Sequence, residues 1–393
     1  MQSFTPEPDH GSARRGRGRV FGLDLLRAAA IGGVVLAHAS VVLYPHLPPW
    51  YGLIGHGGFY GVELFFVLSG FLIGQILLRE GVQLGAAKNV AVFYVRRWLR
   101  TLPLFLLFLA VNVVLELTVR GHSLAAGEVL QHGFFLRNLT GLHMSFFLES
   151  WSLAIEEWFY LFFPAALWLG LKLQKRFDVA FLCAAAAFFL FSTIARAVSA
   201  GDQQADWGSW QRMTVIFRFD ALMFGIGAAW VAERFPLSWR KWRAACAGAG
   251  ALLLLALYAT LWRVAEHGFA FGPDDFFART FRFTFVSLGF ALLLPWCSGW
   301  QLTRETRLSL AVRRIALWSY ALYLVHLPLF ALAAHYTAAD RQPSLARAVL
   351  AFAAQIATAV LISALLYRFF ERPITRLRER AAPAVARLFG SGG

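Results

Sequence analysis

Apolar stretches recur along the whole of this 393-residue chain. Each is close to the ~20 residues that an α-helix needs to cross a lipid bilayer. Apolar and aromatic residues make up 59% of the chain and charged residues only 15%, against about 25% in an average soluble domain. Soluble, disordered and coiled-coil proteins need a more polar composition. The sequence therefore predicts an all-α fold, a polytopic transmembrane helical bundle.

About ten spans can be placed on the chain. They are expected at residues 21–44, 58–79, 97–119, 151–172, 178–200, 213–234, 244–262, 276–297, 314–337 and 346–370. The longest connection outside these spans is 120–150, which contains the apolar sequences FFL and SFFL. An interfacial or re-entrant position is one expectation for that connection.

The distribution of charge predicts the orientation of the bundle. The net charge of +15 would suggest a nucleic-acid partner in a soluble protein, but in an apolar chain Lys and Arg collect on cytoplasmic loops. Basic runs such as RRWLR at 96–100 fall at one end of the spans, whereas acidic GDQQAD at 201–206 falls at the other. Both termini are therefore predicted to be cytoplasmic. Basic tails at 1–20 and 374–393 would flank one membrane domain at 21–373. The lipid bilayer is the predicted partner of this domain, and a nucleic-acid partner is not predicted.

Motifs of soluble enzymes and of metal sites are absent from the sequence. Cys183, Cys246 and Cys297 lie in apolar stretches and give neither a CxxC pair nor a disulfide framework. The sequence also lacks the GxxxxGK[ST], HExxH and GxSxG patterns. Neither a bound metal nor a bound cofactor is predicted.

Ionisable side chains inside a span are energetically unfavourable, which makes them functional candidates. Arg27 and His38 both belong to the first span. Their separation of 11 residues places them on one helix face, about 16 Å apart along the axis. A cation that snorkels or pairs with Asp24 is the structural alternative for Arg27, and a hydrogen-bonded core histidine is the alternative for His38.

Three glutamates lie towards the same end of the spans as His38. Glu63 is near the outer end of the second span, where a solvated helix end is the alternative interpretation. The same span carries Gly70 and Gly74, a spacing that lets a neighbouring helix approach closely. Glu156 and Glu157 are adjacent in the fourth span, and pairing with a buried arginine is the alternative there.

Basic residues gather at the opposite, cytoplasmic end. Arg97 and Arg100 form an RxxR pair on one face of the third span. They are either a positively charged flank or a phosphate site, because guanidinium groups match phosphate oxygens. Together with Arg27 they form the basic end of a two-ended site. That site would fit a ligand with an anionic inner end and a reactive outer end.

Other charged residues in the later spans have mainly structural interpretations. Arg218 and Asp220 are expected to join an internal ion-pair network. His326, two residues before Pro328, is expected to be a structural histidine, and Glu371 a residue at a helix end.

Several of these segments resemble, in order, the sequence blocks of the acyltransferase-3 family of membrane O-acyltransferases. LDLLRAAAIGGVVLAH is similar to the family's R-x10-H first helix, and GVELFFVLSGFLI to its second block. RRWLRTLP, WSLAIEEWFYLFFP, SYALYLVHLP and FFERP are similar to later blocks. The resemblance extends over residues 21–373. Two departures are Glu63, where Asp is usual, and Trp158, where Gln is common.

The resemblance implies a reaction and a location. The donor would be an acyl-CoA, usually acetyl-CoA, that enters from the cytoplasm. The acceptor would be a hydroxyl of a sugar or glycoconjugate, and the protein would be a multi-pass protein of the bacterial inner (cell) membrane. The resemblance carries Arg27, Arg97 and Arg100 as functional residues, which would hold the CoA phosphates.

The remaining site residues implied by the resemblance are His38, Glu63, Glu156 and Glu157. Acyl transfer to a hydroxyl needs a general base, and His38 is the candidate because its unperturbed pKa lies near 6.5. Either Glu156 or Glu157 would orient His38, and the sequence leaves both open. An acetylated His38 intermediate and direct attack by the acceptor are also both open, with direct attack favoured.

A transporter or flippase of an anionic solute or lipid-linked sugar is the main alternative function. Buried charges in a bundle of about ten helices would suit it, but two inverted halves are not evident in the sequence. Modification that depends on acyl-CoA would support the enzyme, and solute flux without acyl-CoA would support the transporter.

Overall fold

The computed structural model describes most of the membrane domain. The described residues are 20–48, 53–139, 141, 144, 146–174, 176–201, 210–265, 276–337, 344–377 and 381. The predicted basic tail at 1–19, most of the acidic segment 201–206, the GPDD sequence at 272–275 and most of the C-terminal tail lie outside them. Within the described ranges the chain forms helices and connections without strands, which confirms the all-α fold.

Twelve α-helices are described. They are α1 (Phe21–Ala39), α2 (Leu53–Glu80), α3 (Ala87–Thr118), α4 (Ala126–Gly133), α5 (Ser150–Gln174), α6 (Phe177–Ala200), α7 (Phe219–Arg234), α8 (Pro236–Lys241), α9 (Arg243–Ala265), α10 (Phe276–Ser298), α11 (Arg307–Thr337) and α12 (Leu345–Leu366). A 3-10 helix at Ser40–His46 continues α1, and a wider π turn at Tyr367–Glu371 continues α12.

Eight helical segments of the described chain are long and apolar enough to cross a membrane. They are Phe21–His46, Ile54–Gly85, Ala87–Thr118, Phe177–Ala200, Arg243–Thr260, Arg279–Ser298, Arg307–Thr337 and Leu345–Leu377. A polytopic helical membrane bundle is therefore confirmed. The other two predicted spans, 151–172 and 213–234, fall on α5 and α7. Of these, α7 has only 16 residues, and α5 contains the adjacent glutamates, which lower its mean hydropathy.

Helix α2 lies at the centre of the bundle, packed between α1 and α7. Glycines allow these close approaches, as the spacing of Gly70 and Gly74 predicts. A Cβ atom at Gly70 would lie 2.0 Å from the carbonyl oxygen of Leu222 on α7. On the other side, a Cβ atom at Gly61 would lie 2.4 Å from the carbonyl oxygen of Ala30 on α1. The backbones of α1, α2 and α7 are therefore held in near contact.

The connection between α3 and α5 is fastened to α5 by side-chain hydrogen bonds. Trp158 Nε1 donates to the carbonyl oxygen of Phe135 at 2.8 Å. Asn138 Nδ2 donates to the carbonyl oxygen of Trp151 at 2.9 Å. Trp158, one of the two departures from the family blocks, thus holds this connection against the helix that carries Glu156 and Glu157.

Candidate active site

A cavity of about 370 Å³ lies among α1, α2, α3, α5 and α11. Its charged and polar lining includes Arg27, Arg79, Arg97, Arg100, Gln75, Ser69, Thr101, Ser152, Glu156, Tyr160, Tyr320 and Tyr323. We call it the arginine cavity. All three arginines predicted to bind the donor share this one space, which brings together residues from the first and third predicted spans.

Of the two adjacent glutamates in α5, Glu156 is the one that faces the arginine cavity. Its Oε1 accepts a hydrogen bond from Ser69 Oγ at 2.6 Å, and its Oε2 accepts one from the Tyr160 hydroxyl at 2.9 Å. The guanidinium of Arg97 lies over the ring of Tyr160, 4.4 Å from its centroid, a cation–π arrangement. Glu156 is therefore fixed in orientation beside a cation.

Glu157 has different surroundings. It is buried, and its Oε2 has no hydrogen-bond partner among the described residues. It is also not among the described residues that line the arginine cavity. The structure thus separates two carboxylates that the sequence left equivalent, and Glu156 is the one that a ligand in the cavity would meet.

His38 is paired with a second histidine. Its Nδ1 lies 3.1 Å from Nε2 of His326, which is fully buried on α11. Nδ1 of His326 lies 2.7 Å from the carbonyl oxygen of Tyr323. A carbonyl only accepts hydrogen bonds, so Nδ1 of His326 carries the proton and Nε2 of neutral His326 is an acceptor. His38 Nδ1 then donates, and the lone pair of His38 lies on Nε2.

Tyr323 connects this histidine pair to the arginine cavity. Its hydroxyl and Ser152 Oγ are 2.6 Å apart, and both residues line the cavity. Its carbonyl oxygen accepts the hydrogen bond from Nδ1 of His326. His38 itself is not among the described lining residues, but it shares the unbroken helix α1 with Arg27, about 16 Å away along the axis.

Arg212, which precedes the 3-10 turn before α7, is a further cation near His38. Its guanidinium lies 5.2 Å from the ring centroid of Trp151 and 5.5 Å from that of Phe59. Its charge acts on both His38 and Tyr323. Sequence reasoning missed this residue because it falls one position before the predicted span 213–234, outside the segments searched for buried charges.

Glu63 belongs to a buried ion-pair network. It is fully buried and accepts a hydrogen bond from Arg218, and Ser287 Oγ lies 3.3 Å from its Oε2. Beside it, the guanidinium of Arg196 donates two hydrogen bonds to the carboxylate of Asp220, at 2.8 and 2.7 Å. The predicted network around Arg218 and Asp220 is confirmed. Removing one partner from such a buried pair costs about 3–5 kcal/mol.

Arg79 is the fourth arginine of the cavity and was not singled out from the sequence. It stands at the end of the predicted span 58–79, where a basic residue is expected as a cytoplasmic flank. The sequence therefore gives no reason to distinguish Arg79 from an ordinary cytoplasmic flanking residue. Among the described residues no group of histidine, cysteine or acidic side chains could hold a metal ion.

Three curated relatives are similar to this chain over different shares of its length. Peptidoglycan O-acetyltransferase OatA of Listeria monocytogenes is 27% identical over 382 residues, which are 93% of this chain and 57% of that protein. A putative O-acetyltransferase of Staphylococcus aureus is 33% identical over 174 residues, 41% of this chain and 27% of its own length. Putative peptidoglycan O-acetyltransferase YrhL of Bacillus subtilis is 36% identical over 169 residues, 39% of this chain and 24% of its own length.

The chain thus spans little more than half the length of the Listeria relative and about a quarter of the other two. No solved structure matches it. The family described as an acyltransferase domain matches residues 20–368, a range that contains the arginine cavity and the His38–His326 pair. The chain therefore belongs to the acyltransferase-3 family.

Proposed function

We propose that this protein is an O-acyltransferase that moves an acetyl group from acetyl-CoA to a hydroxyl of a sugar or glycoconjugate of the cell envelope. The observation that carries the proposal is the arginine cavity, which has four guanidinium groups and shares Tyr323 with the His38–His326 pair. The relatives' names point to an acetyl group and to peptidoglycan, a carbohydrate polymer. The proposed location is the bacterial inner membrane.

The arginine cavity would bind the donor through its phosphates. CoA carries a pyrophosphate and a 3′-phosphate, and guanidinium groups bind phosphate oxygens through paired, charge-assisted hydrogen bonds. Arg27, Arg97 and Arg100 are the proposed contacts, and Arg79 lies at the same cavity. The acyl end would extend past Ser69 and Glu156 towards Ser152 and Tyr323.

His38 would be the general base of the reaction. Its Nε2 would take the proton from the acceptor hydroxyl while that oxygen attacks the thioester carbonyl carbon. The new C–O bond forms as the C–S bond breaks, and the proton passes to the departing CoA thiolate. The Arg212 guanidinium near His38 would stabilise the negative charge that develops on the carbonyl oxygen.

The glutamates would have different parts in this mechanism. Glu156 would hold Ser69 and Tyr160 at the wall of the arginine cavity and contribute to placing the thioester. Glu63 would act through Arg218, since its described hydrogen bonds go to that residue and Ser287. Glu157 would support the packing of α5 rather than orient His38.

The test is acetyl transfer by the purified full-length chain in lipid nanodiscs. Radiolabelled acetyl-CoA and a soluble peptidoglycan fragment would be supplied, and labelled glycan and free CoA thiol would be measured. We expect stoichiometric release of CoA and acetylation of the glycan, with loss of both in His38→Ala. Solute flux without acetyl-CoA, and no labelled product, would indicate a transporter instead.

A further inference from the structure

A second cavity, of about 170 Å³, lies at the end of the bundle away from the four arginines. We propose that it is the acceptor site and that it binds an uncharged, hydroxyl-rich sugar unit through Glu149. The identification of this ligand as the acceptor rests on the proposed function. We call it the Glu149 cavity. Its described lining comes from the C-terminal end of α3, the turn before α5 and the second half of α11.

The Glu149 cavity begins about one helical turn beyond the end of the arginine cavity. Ser152 and Tyr323 line the arginine cavity, whereas Glu149 and Leu327 line the Glu149 cavity. Leu327 is four residues after Tyr323 on α11, about 6 Å along the helix axis, and Glu149, in the turn before α5, is three residues before Ser152. Leu327 also directly follows His326, the partner of His38. A ligand here would lie next to the proposed reaction centre, on the side away from the donor phosphates.

Glu149 is a buried carboxylate with unused hydrogen-bonding capacity. The residue is 3% exposed, and its Oε1 has no hydrogen-bond partner among the described residues. Buried polar atoms are nearly always hydrogen-bonded, and leaving one unpaired is unfavourable. Glu149 lines the cavity and its side chain also hydrogen-bonds Asn112, so a ligand hydroxyl that reaches Oε1 would complete the hydrogen bonding of this group.

The other charges of the cavity select against a charged ligand. Glu116 is ion-paired with Arg120, and His122 Nδ1 lies 3.1 Å from its second oxygen. Glu116 and Arg120 both line the cavity, so they largely neutralise each other. Burial raises the pKa of Glu149 to about 8, so this carboxyl adds little charge at neutral pH, and the guanidinium of Arg120 would repel a metal cation. An uncharged ligand with hydroxyl donors fits this balance.

The remaining walls suit a sugar ring. The apolar lining consists of Leu115, Val119, Phe147, Leu148, Leu327, Pro328, Ala331 and Leu332. A pyranose has C–H faces that pack on such surfaces and hydroxyl groups that donate to carboxylate and amide oxygens. Asn112 supplies an amide at the same cavity. Pockets with mostly apolar walls and a few convergent polar groups are typical small-molecule sites.

Direct binding by the purified full-length chain, in detergent and without acetyl-CoA, tests the inference. Calorimetry would follow titration with an N-acetylglucosamine tetramer and, separately, with maltotetraose. We expect the wild-type chain to bind at least one of them. Glu149→Leu should weaken that binding about tenfold, because a hydrogen bond to the buried carboxyl is lost. Glu305→Gln, a change in an exposed glutamate, is the control and should bind as wild type does.

Thermal unfolding separates recognition from a structural role. Glu149 has an unpaired buried oxygen beside its hydrogen bond with Asn112. Removing the buried carboxyl offsets the loss of that bond, so Glu149→Leu should leave the ligand-free chain about as stable as wild type. Lower stability together with unchanged sugar affinity would overturn the inference. So would the absence of binding of either sugar to the wild-type chain, or binding of Ca²⁺ that is lost in Glu149→Leu. Sugar binding that depends on Glu149 without any acetyl transfer would refute the proposed function and leave the sugar site standing.

Discussion

The direction of one proton determines what His38 can do. In the pair with His326, the carbonyl oxygen of Tyr323 holds the proton of His326 on Nδ1, which makes His326 an acceptor for the nitrogen of His38 that faces it. His38 also hydrogen-bonds the backbone of Val34. His326 would then be a positioning residue, because it acts on the substrate only through His38.

A pair of substitutions at His326 tests this role. The amide oxygen of His326→Gln can accept a hydrogen bond near the position of the lost Nε2, so this variant should keep a substantial part of the wild-type kcat. His326→Leu removes the acceptor and should lower kcat more than tenfold with the KM for acetyl-CoA unchanged. Steady-state kinetics on monodisperse protein would measure both, with His38→Ala as the reference, for which a loss of about 10²–10⁴-fold is expected. Equal activity of the Gln and Leu variants would contradict the role.

Arg97 provides a prediction about the donor. Arg97→Ala should weaken acetyl-CoA binding by about 1.5–3 kcal/mol, because a charge-assisted contact is lost. Its guanidinium also stacks on Tyr160, so the comparison should include Arg97→Lys, which keeps the charge and loses the planar group. Acceptor KM at saturating acetyl-CoA is the control measurement and should not change. An effect confined to the acceptor would be inconsistent with a phosphate contact.

At the scale of helices, the packing of α2 against α7 keeps the ion pairs of the core aligned. Glu63 is on α2, whereas its partner Arg218 directly precedes α7. The close approach of these helices depends on Gly70, which leaves no room for a side chain. The same contact therefore fixes both a backbone distance and a buried charge pair.

Gly70→Ala should be destabilising for this reason. The new methyl group would lie 2.0 Å from a backbone oxygen of α7, and overpacking of this kind costs about 1–3 kcal/mol. Gly227→Ala is the matched control, because a Cβ atom there meets no described atom within 4 Å. Thermal unfolding in detergent should show a lower Tm for Gly70→Ala and an equal or higher Tm for Gly227→Ala. Equal Tm values below wild type would point to a general effect of replacing glycine.

At the scale of the whole molecule, the orientation in the membrane remains the principal prediction from charge. Reporter fusions after residue 205 and after residue 380 should report the outside and the cytoplasm, respectively, since basic residues mark the cytoplasmic loops. A periplasmic phosphatase and a cytoplasmic fluorescent reporter, exchanged between the two sites, control for fusion artefacts. The same location at both sites would exclude the proposed arrangement of spans.

The membrane fold follows largely from local sequence, whereas the pairing of side chains does not. Hydropathy and length are properties of single segments, and they identified the ten longer helices but not the short helices α4 and α8. His38 and His326 are 288 residues apart, and Glu63 and Arg218 are 155 apart. Which charges meet depends on how the helices rotate and pack, and this information is not in any one segment. Arg97 and Arg100 could be predicted to lie together because both belong to one short motif, and both line the arginine cavity.

The two cavities share no described lining residue, and Ser152 and Tyr323 are the lining residues of the arginine cavity that lie nearest in the chain to the Glu149 cavity. Under the proposed function, the nucleotide carrier stays on one side and the glycan on the other. An acetyl group moves one way while the proton of the acceptor hydroxyl moves the other way to the CoA thiolate, so no net charge crosses. Such a protein needs no aqueous conduit, so it would modify the cell exterior without leaking protons or ions. The resting voltage across the membrane would then be unaffected by turnover.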